Sequence, residues 1–169
     1  MFKLINGIYY SQHKTDIDNE ALIKDIINQR ENPTNSTDKS RPNQSEVDVQ
    51  HTFYEDTPLS YATYDMVHYS TQKVIDSIFG PDKMSAGEIW GHIVPPGEQT
   101  MIHNHEESNS PGLSFVYYPH MPKKSGNLVF ITNLDRNRVM YEIESMAGHL
   151  YIFSRDILHF TPRNGSDVN

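Results

Sequence analysis

Residues 112–153 read GLSFVYYPHMPKKSGNLVFITNLDRNRVMYEIESMAGHLYIF, and the reading of this stretch decides the fold. Runs rich in aromatic and β-branched residues (GLSFVYY, GNLVFIT, VMYEIE and GHLYIF) are separated by Pro119, by Lys124-Ser125-Gly126 and by Ala147-Gly148. Such side chains suit a pleated, half-buried surface, whereas Pro and Gly supply the dihedrals of tight turns. The spacing predicts short antiparallel strands joined by turns.

Working upstream, SAGEIWGHIV (85–94) and TMIHNH (100–105) extend the same pattern, punctuated by Pro95-Pro96-Gly97 and Pro111-Gly112. Residues 84–169 therefore read as a β core. Before it, Phe2–Tyr10 reads as an opening strand. Thr15, Asp16 and Asp18 offer helix-start chemistry, Leu22, Ile23, Ile26 and Ile27 line one side of a short helix, and its end is expected near Asn28. Residues 29–50, with Pro33 and Pro42 and almost no apolar residue, read as a polar flexible loop. Thr57-Pro58 has the chemistry of a helix start, followed by a stripe of Tyr64, Val67, Val74, Ile75 and Ile78 and the stop Gly80-Pro81. The fold expected from these residues is mainly β with flanking helices, an antiparallel sandwich or barrel. A chain of 169 residues fits a single domain, 1–169.

Composition narrows the chemistry. The formal charge of -8 argues against a phosphate-binding surface, which needs Lys and Arg to displace counterions, so no nucleic-acid partner is expected. No run approaches the roughly 20 apolar residues of a membrane span. The opening MFKLINGIYY lacks a secretory signal pattern, so the expected compartment is the cytoplasm, with no membrane association. The chain has no cysteine, which removes disulfides, thiolate metal sites and cysteine nucleophiles together. A metal would have to be bound by imidazole and carboxylate.

Among the nine histidines, His13, His51, His68 and His120 sit in ordinary contexts, and His92 and His149 are strand residues. His103 and His105 differ because they form a spaced pair: in a strand, alternate side chains share a face, so both imidazoles can reach one ion. His-x-His by itself is a weak motif. His159, in the late segment IFSRDILHFTP, supplies a distant third candidate, and two near ligands with one remote one is how a barrel mouth assembles a facial triad with open positions. Such a site suits Fe(II). Because the commoner triad is two His and a carboxylate, Glu107 stays open as an alternative ligand, with Glu106 beside it.

The runs HNHEESNSPGLSFVYYP, SGNLVFIT and AGHLYIFSRDILHFTPRN, in this order, resemble the 2-oxoglutarate and Fe(II)-dependent oxygenases related to prolyl hydroxylases, in the subgroup with His-x-His. The resemblance covers Glu88 to the end of the sequence. It implies a double-stranded β-helix, the jelly-roll or cupin-like barrel, with Fe(II) inside, 2-oxoglutarate as cosubstrate, and O₂ and a small-molecule or peptide substrate as partners. By the same resemblance His103 is the first ligand, His105 stands where most of the superfamily has a carboxylate, and His159 is the distal histidine. Tyr118 matches a tyrosine that hydrogen-bonds the far carboxylate of 2-oxoglutarate, while Tyr117 points the other way and packs. The family's basic partner for that carboxylate follows the distal histidine on the last strand. Arg163 is too early for it, and the sequence stops at Asn169; two explanations stand, a longer chain that carries the strand, which is the preferred expectation, or a protein that does not use 2-oxoglutarate in the usual way.

Two other functions fit the same scaffold. A cupin-type metalloenzyme without 2-oxoglutarate would use Gly97 and, after an interval of five residues, His103-x-His105 as the start of its motif, although Glu106 and Glu107 come too early for its glutamate. A non-catalytic jelly-roll binding protein would hold no stoichiometric metal.

Overall fold

The computed structural model describes residues 3–5, 8–31, 57–105, 112–134 and 137–167. The elements run β1 (Lys3–Ile5), β2 (Ile8–Lys14), α1 (Asn19–Glu31), β3 (Thr57–Pro58), α2 (Tyr61–Phe79), β4 (Trp90–Gly91), β5 (Leu113–Tyr118), β6 (Leu128–Leu134), β7 (Asn137–Ile143), β8 (His149–Ser154) and β9 (Leu158–Phe160). The described residues are mainly β with two helices, and every strand pairing among them is antiparallel. Two compact units divide the chain, one holding β1, β2 and everything from Val94 onward, the other the two helices with β3 and β4.

In the first unit, one sheet has the order β1-β2-β8-β5 and another the order β7-β6-β9. β8 is central to its sheet, and Leu150, Tyr151, Ile152 and Phe153 are all buried, so both faces of the strand are covered. That explains its unbroken apolar run: a strand covered on one face only would alternate. Register puts Tyr10, Phe153 and Ser114 in one row and Gln12, Tyr151 and Val116 in the next. Tyr10, Tyr151 and Phe153 from this sheet share one core with Leu128, Phe130 and Ile143 from the other, as in a β-sandwich. The Phe130 and Phe153 rings meet edge to face, with centroids 4.9 Å apart. Tyr151 also satisfies its polar end: its hydroxyl donates to the Glu144 carbonyl and accepts from the Met146 N–H and Gln12 Nε2.

In the second unit, Asp18 caps α1, its carboxylate accepting from the Ala21 N–H at 3.0 Å. The helix runs past Asn28 to Glu31 and buries Leu22, Ile26 and Gln29, a stripe at helical spacing. The polar loop expected from residue 29 does not start there: Gln29, Arg30 and Glu31 finish the helix, and residues 32–50 lie outside those described. Gly91 lets the backbone of β4 approach α1, since a Cβ there would stand 2.6 Å from Ile26 Cγ1.

Thr57-Pro58 is not the start of the second helix. It forms β3 and pairs with β4, and α2 begins after Ser60, whose N–H donates to Asp25 Oδ2 at 2.8 Å. A proline at the end of so short an edge strand costs no ladder bond. The helix buries Thr63, Val67, Ser70, Thr71 and Ile75, a smaller and more polar stripe than the expected Tyr64, Val67, Val74, Ile75 and Ile78. The strand expected over residues 85–94 shrinks to Trp90–Gly91. A tertiary contact claims the start of the segment: the Gln72 amide, on α2, donates to the Met84 carbonyl and accepts from the Ala86 N–H, both at 2.8 Å, taking backbone groups that a strand would pair. Among the described residues, no helix is long and apolar enough to cross a membrane.

Candidate metal centre

The segment carrying the histidine pair is not a regular strand. Pro95-Pro96-Gly97-Glu98 makes a turn closed by Glu98 N–H donating to the Pro95 carbonyl at 3.1 Å, with Gly97 at φ 85°. Proline second and a positive-φ glycine third are what a type II turn requires. From there residues 97–105 run alongside 155–164, joined at intervals. Gly97 N–H donates to Asn164 O, Thr100 N–H to Thr161 O, and His105 N–H to Arg155 O.

Between these lies one complete rung. His103 N–H donates to the His159 carbonyl at 3.1 Å, and His159 N–H returns the bond at 2.9 Å. This isolated antiparallel bridge sets the two residues directly opposite each other, so their side chains leave the same face. His105, two residues on, joins them. The ring centroids stand 4.3 Å apart for His103 and His159, 5.1 Å for His103 and His105, and 5.3 Å for His105 and His159. One ring nitrogen from each lies within 4.8 Å of those of the other two, a group that could hold a metal ion.

Two of the three rings have their proton placed by the backbone. His103 Nδ1 contacts the Met101 carbonyl and His159 Nδ1 the Ile157 carbonyl, each at 2.9 Å. A carbonyl oxygen can only accept, so Nδ1 carries a hydrogen in each ring, and Nε2 is the nitrogen left to ligate a metal. Metal-ligating imidazoles are commonly oriented this way by a second hydrogen bond.

His159 is buried, with Phe153 edge-on to its ring at 4.8 Å. Burial, reinforced by the neighbouring His103 and His105 and only partly opposed by the Ile157 carbonyl, lowers its pKa from 6.5 to about 3. The imidazole is therefore neutral, the form that binds metals, across the physiological range. The shift also has a stability consequence. Between pH 6.5 and about 3 the unfolded chain takes up a proton that the folded one refuses. The metal-free protein is expected to lose stability as pH falls through this window, by up to about 1.4 kcal/mol per pH unit from this group. Urea unfolding at pH 7 and pH 5 measures it, and the dependence should flatten in His159→Gln; an unchanged slope in that variant would assign the effect elsewhere.

Tyr118 lies on β5 opposite His149, with its ring at 5.7 Å from that of Tyr151. It packs against the shared core, and Tyr117, the next residue along the strand, faces the other way. The Tyr118 hydroxyl is shut off from solvent and has no hydrogen-bond partner among the described residues. Burial raises its pKa; the hydroxyls of Thr161 and Ser145 lie near enough to oppose that without making a bond of normal geometry. A buried phenol without a partner is costly, and a ligand acceptor would remove the cost.

Among the described residues, no other candidate joins the group. His149 sits on β8, its Nδ1 donating to the Ala147 carbonyl, and His92 follows β4. Glu106 and Glu107 lie outside the described residues. Arg155 is a participant that sequence reasoning missed: its Nε donates to the His105 carbonyl at 2.7 Å and its Nη2 to the same oxygen. Nothing in the spacing of SRDILH signals that contact, because it joins distant parts of the chain.

No protein-family model and no curated protein matches this sequence. Among solved structures, the chain is similar to a prolyl-4-hydroxylase from Pseudomonas putida, with a TM-score of 0.62 and 17% identity, covering 93% of this chain and 87% of that one. At this identity the likeness concerns the course of the backbone: the chain shares the fold of that prolyl-4-hydroxylase.

Proposed function

We propose that this protein is a non-haem Fe(II) oxygenase that hydroxylates a small-molecule or peptide substrate with 2-oxoglutarate and O₂, on a jelly-roll scaffold. The observation that carries the reading is the convergence of His103, His105 and His159, with ring nitrogens within 4.8 Å of one another. The likeness in fold to a prolyl-4-hydroxylase supports it. In this reading His103, His105 and His159 would hold the iron, a donor set that suits Fe(II). When bound, Fe(II) supplies the O₂-activating, oxidising chemistry that amino-acid side chains lack. The protein's part is to present the Nε2 atoms of His103 and His159, to wall the site with the Phe153 ring, and to exclude water. The partnerless Tyr118 hydroxyl would donate to the far carboxylate of 2-oxoglutarate, which the donor chemistry fits.

The test is Fe(II)-dependent conversion of 2-oxoglutarate to succinate under O₂. Tyr118→Phe is expected to raise the KM for 2-oxoglutarate roughly 10–100-fold, the worth of a hydrogen bond to a charged group, with metal affinity unchanged. Equal KM values in the two proteins would remove Tyr118 from the cosubstrate site. A second reading, a cupin-type metalloenzyme without 2-oxoglutarate, draws on the all-imidazole donor set, which carries no charge to match the ion. It predicts tight metal binding with no 2-oxoglutarate consumed. A non-catalytic binding protein predicts no stoichiometric metal.

A further inference from the structure

We infer that Arg155 is a positioning residue that fixes His105 for metal binding. The inference rests on the reading of the three imidazoles as ligands, and it concerns the backbone of His105. His103 and His159 hold each other through a two-bond backbone rung, and each ring is anchored to a carbonyl two residues back. His105 lies beyond the rung. What holds its backbone is Arg155: the His105 N–H donates to the Arg155 carbonyl at 2.9 Å, and the His105 carbonyl accepts from Arg155 Nε at 2.7 Å and from Nη2. One residue thus engages both the N–H and the C=O of His105, with charge-assisted bonds on the carbonyl side.

The same residue is held from the other direction. Arg155 N–H donates to the Gly112 carbonyl at 3.2 Å, and a Cβ on Gly112 would stand 2.7 Å from Arg155 Cδ and 3.2 Å from Nη1. Gly112 therefore leaves the room that the half-buried guanidinium occupies. A lysine could keep the charge but not the fork that places two N–H groups on one oxygen.

Two effects of Arg155 on a bound dication have opposite signs, which makes the inference decidable. A nearby positive charge repels the metal, so removing it tightens binding if charge is all that matters. Holding His105 in place favours binding, so removing the clasp weakens it.

The experiment is Co(II) titration of the wild type, Arg155→Met, Arg155→Lys and Gly112→Ala under nitrogen, with folding followed by circular dichroism and hydrogen exchange read at the His105 amide. Positioning predicts a roughly 10–100-fold loss of Co(II) affinity in Arg155→Met, a smaller loss in Arg155→Lys, a loss in Gly112→Ala, and faster exchange at His105. Equal or tighter binding by Arg155→Met overturns the inference and leaves the ligand reading intact. If Arg155→Met does not fold, Arg155→Lys decides, because weaker binding with the charge kept supports positioning and unchanged binding overturns it. If the wild type takes up no Co(II), the ligand reading and the metal role of Arg155 fail together. The exchange data then separate the two: unchanged protection at His105 in Arg155→Met overturns the clasp itself.

Discussion

Replacing His159 with alanine is expected to lower Fe(II) affinity by more than about 100-fold, since loss even of an outer partner of a ligand costs about 10–100-fold. The backbone rung with His103 does not involve the side chain, so the variant keeps the alignment of the two segments and loses only the third imidazole. His149→Ala is the matched control. Its Nδ1 makes the same type of bond to a carbonyl two residues back, yet the ring is not one of the three that converge. Fe(II) or Co(II) titration under nitrogen measures both. Affinity in His159→Ala within about threefold of the wild type, where 1.4 kcal/mol is tenfold, would sink the three-histidine centre.

Phe153→Ala is expected to destabilise the protein by about 3–5 kcal/mol, the usual cost of deleting a buried aromatic ring. Phe153 is fully buried and its ring meets both Phe130, at 4.9 Å, and His159, at 4.8 Å. The cavity would open between the shared core and the candidate metal centre, so metal affinity should fall along with stability. Thermal unfolding should show a drop in Tm of roughly 10 °C or more. Met140→Ala, at a side chain 62% exposed, should change stability by no more than about 0.5 kcal/mol. Similar Tm values for the two variants would show that the core is not centred where Phe130, Tyr151 and Phe153 meet.

Legibility in the sequence followed how local each signal was. β5, β6, β7 and β8 lie close to where the apolar runs and turn residues put them, because strand period and turn dihedrals are properties of short segments. The start of α1 was readable from Asp18 for the same reason. The strand expected over residues 85–94 failed because Gln72, on a helix, claims the Met84 and Ala86 backbone, a competition that no local pattern records. TMIHNH failed as a regular strand because its pairing with residues 155–164 is intermittent, with one true rung at His103. At Thr57-Pro58, capping chemistry suited to a helix is used by an edge strand, since α2 is placed by burial of Thr63, Val67 and Thr71.

By itself the sequence limited the ligand chemistry: with no cysteine, any metal centre must be built from imidazole or carboxylate, and the candidate set was His103-x-His105 with His159, Glu107 being the alternative ligand. It also determined the strand-rich character of residues 112–153. Only the tertiary structure decided that His159 faces His103 across a backbone rung, that Nδ1 of each carries the proton, and that Arg155 clasps His105. The reason is physical. Strand period and residue chemistry act over a few residues, whereas these contacts depend on which distant segments pair and in what register, and a slip of one residue would turn an imidazole to the other face.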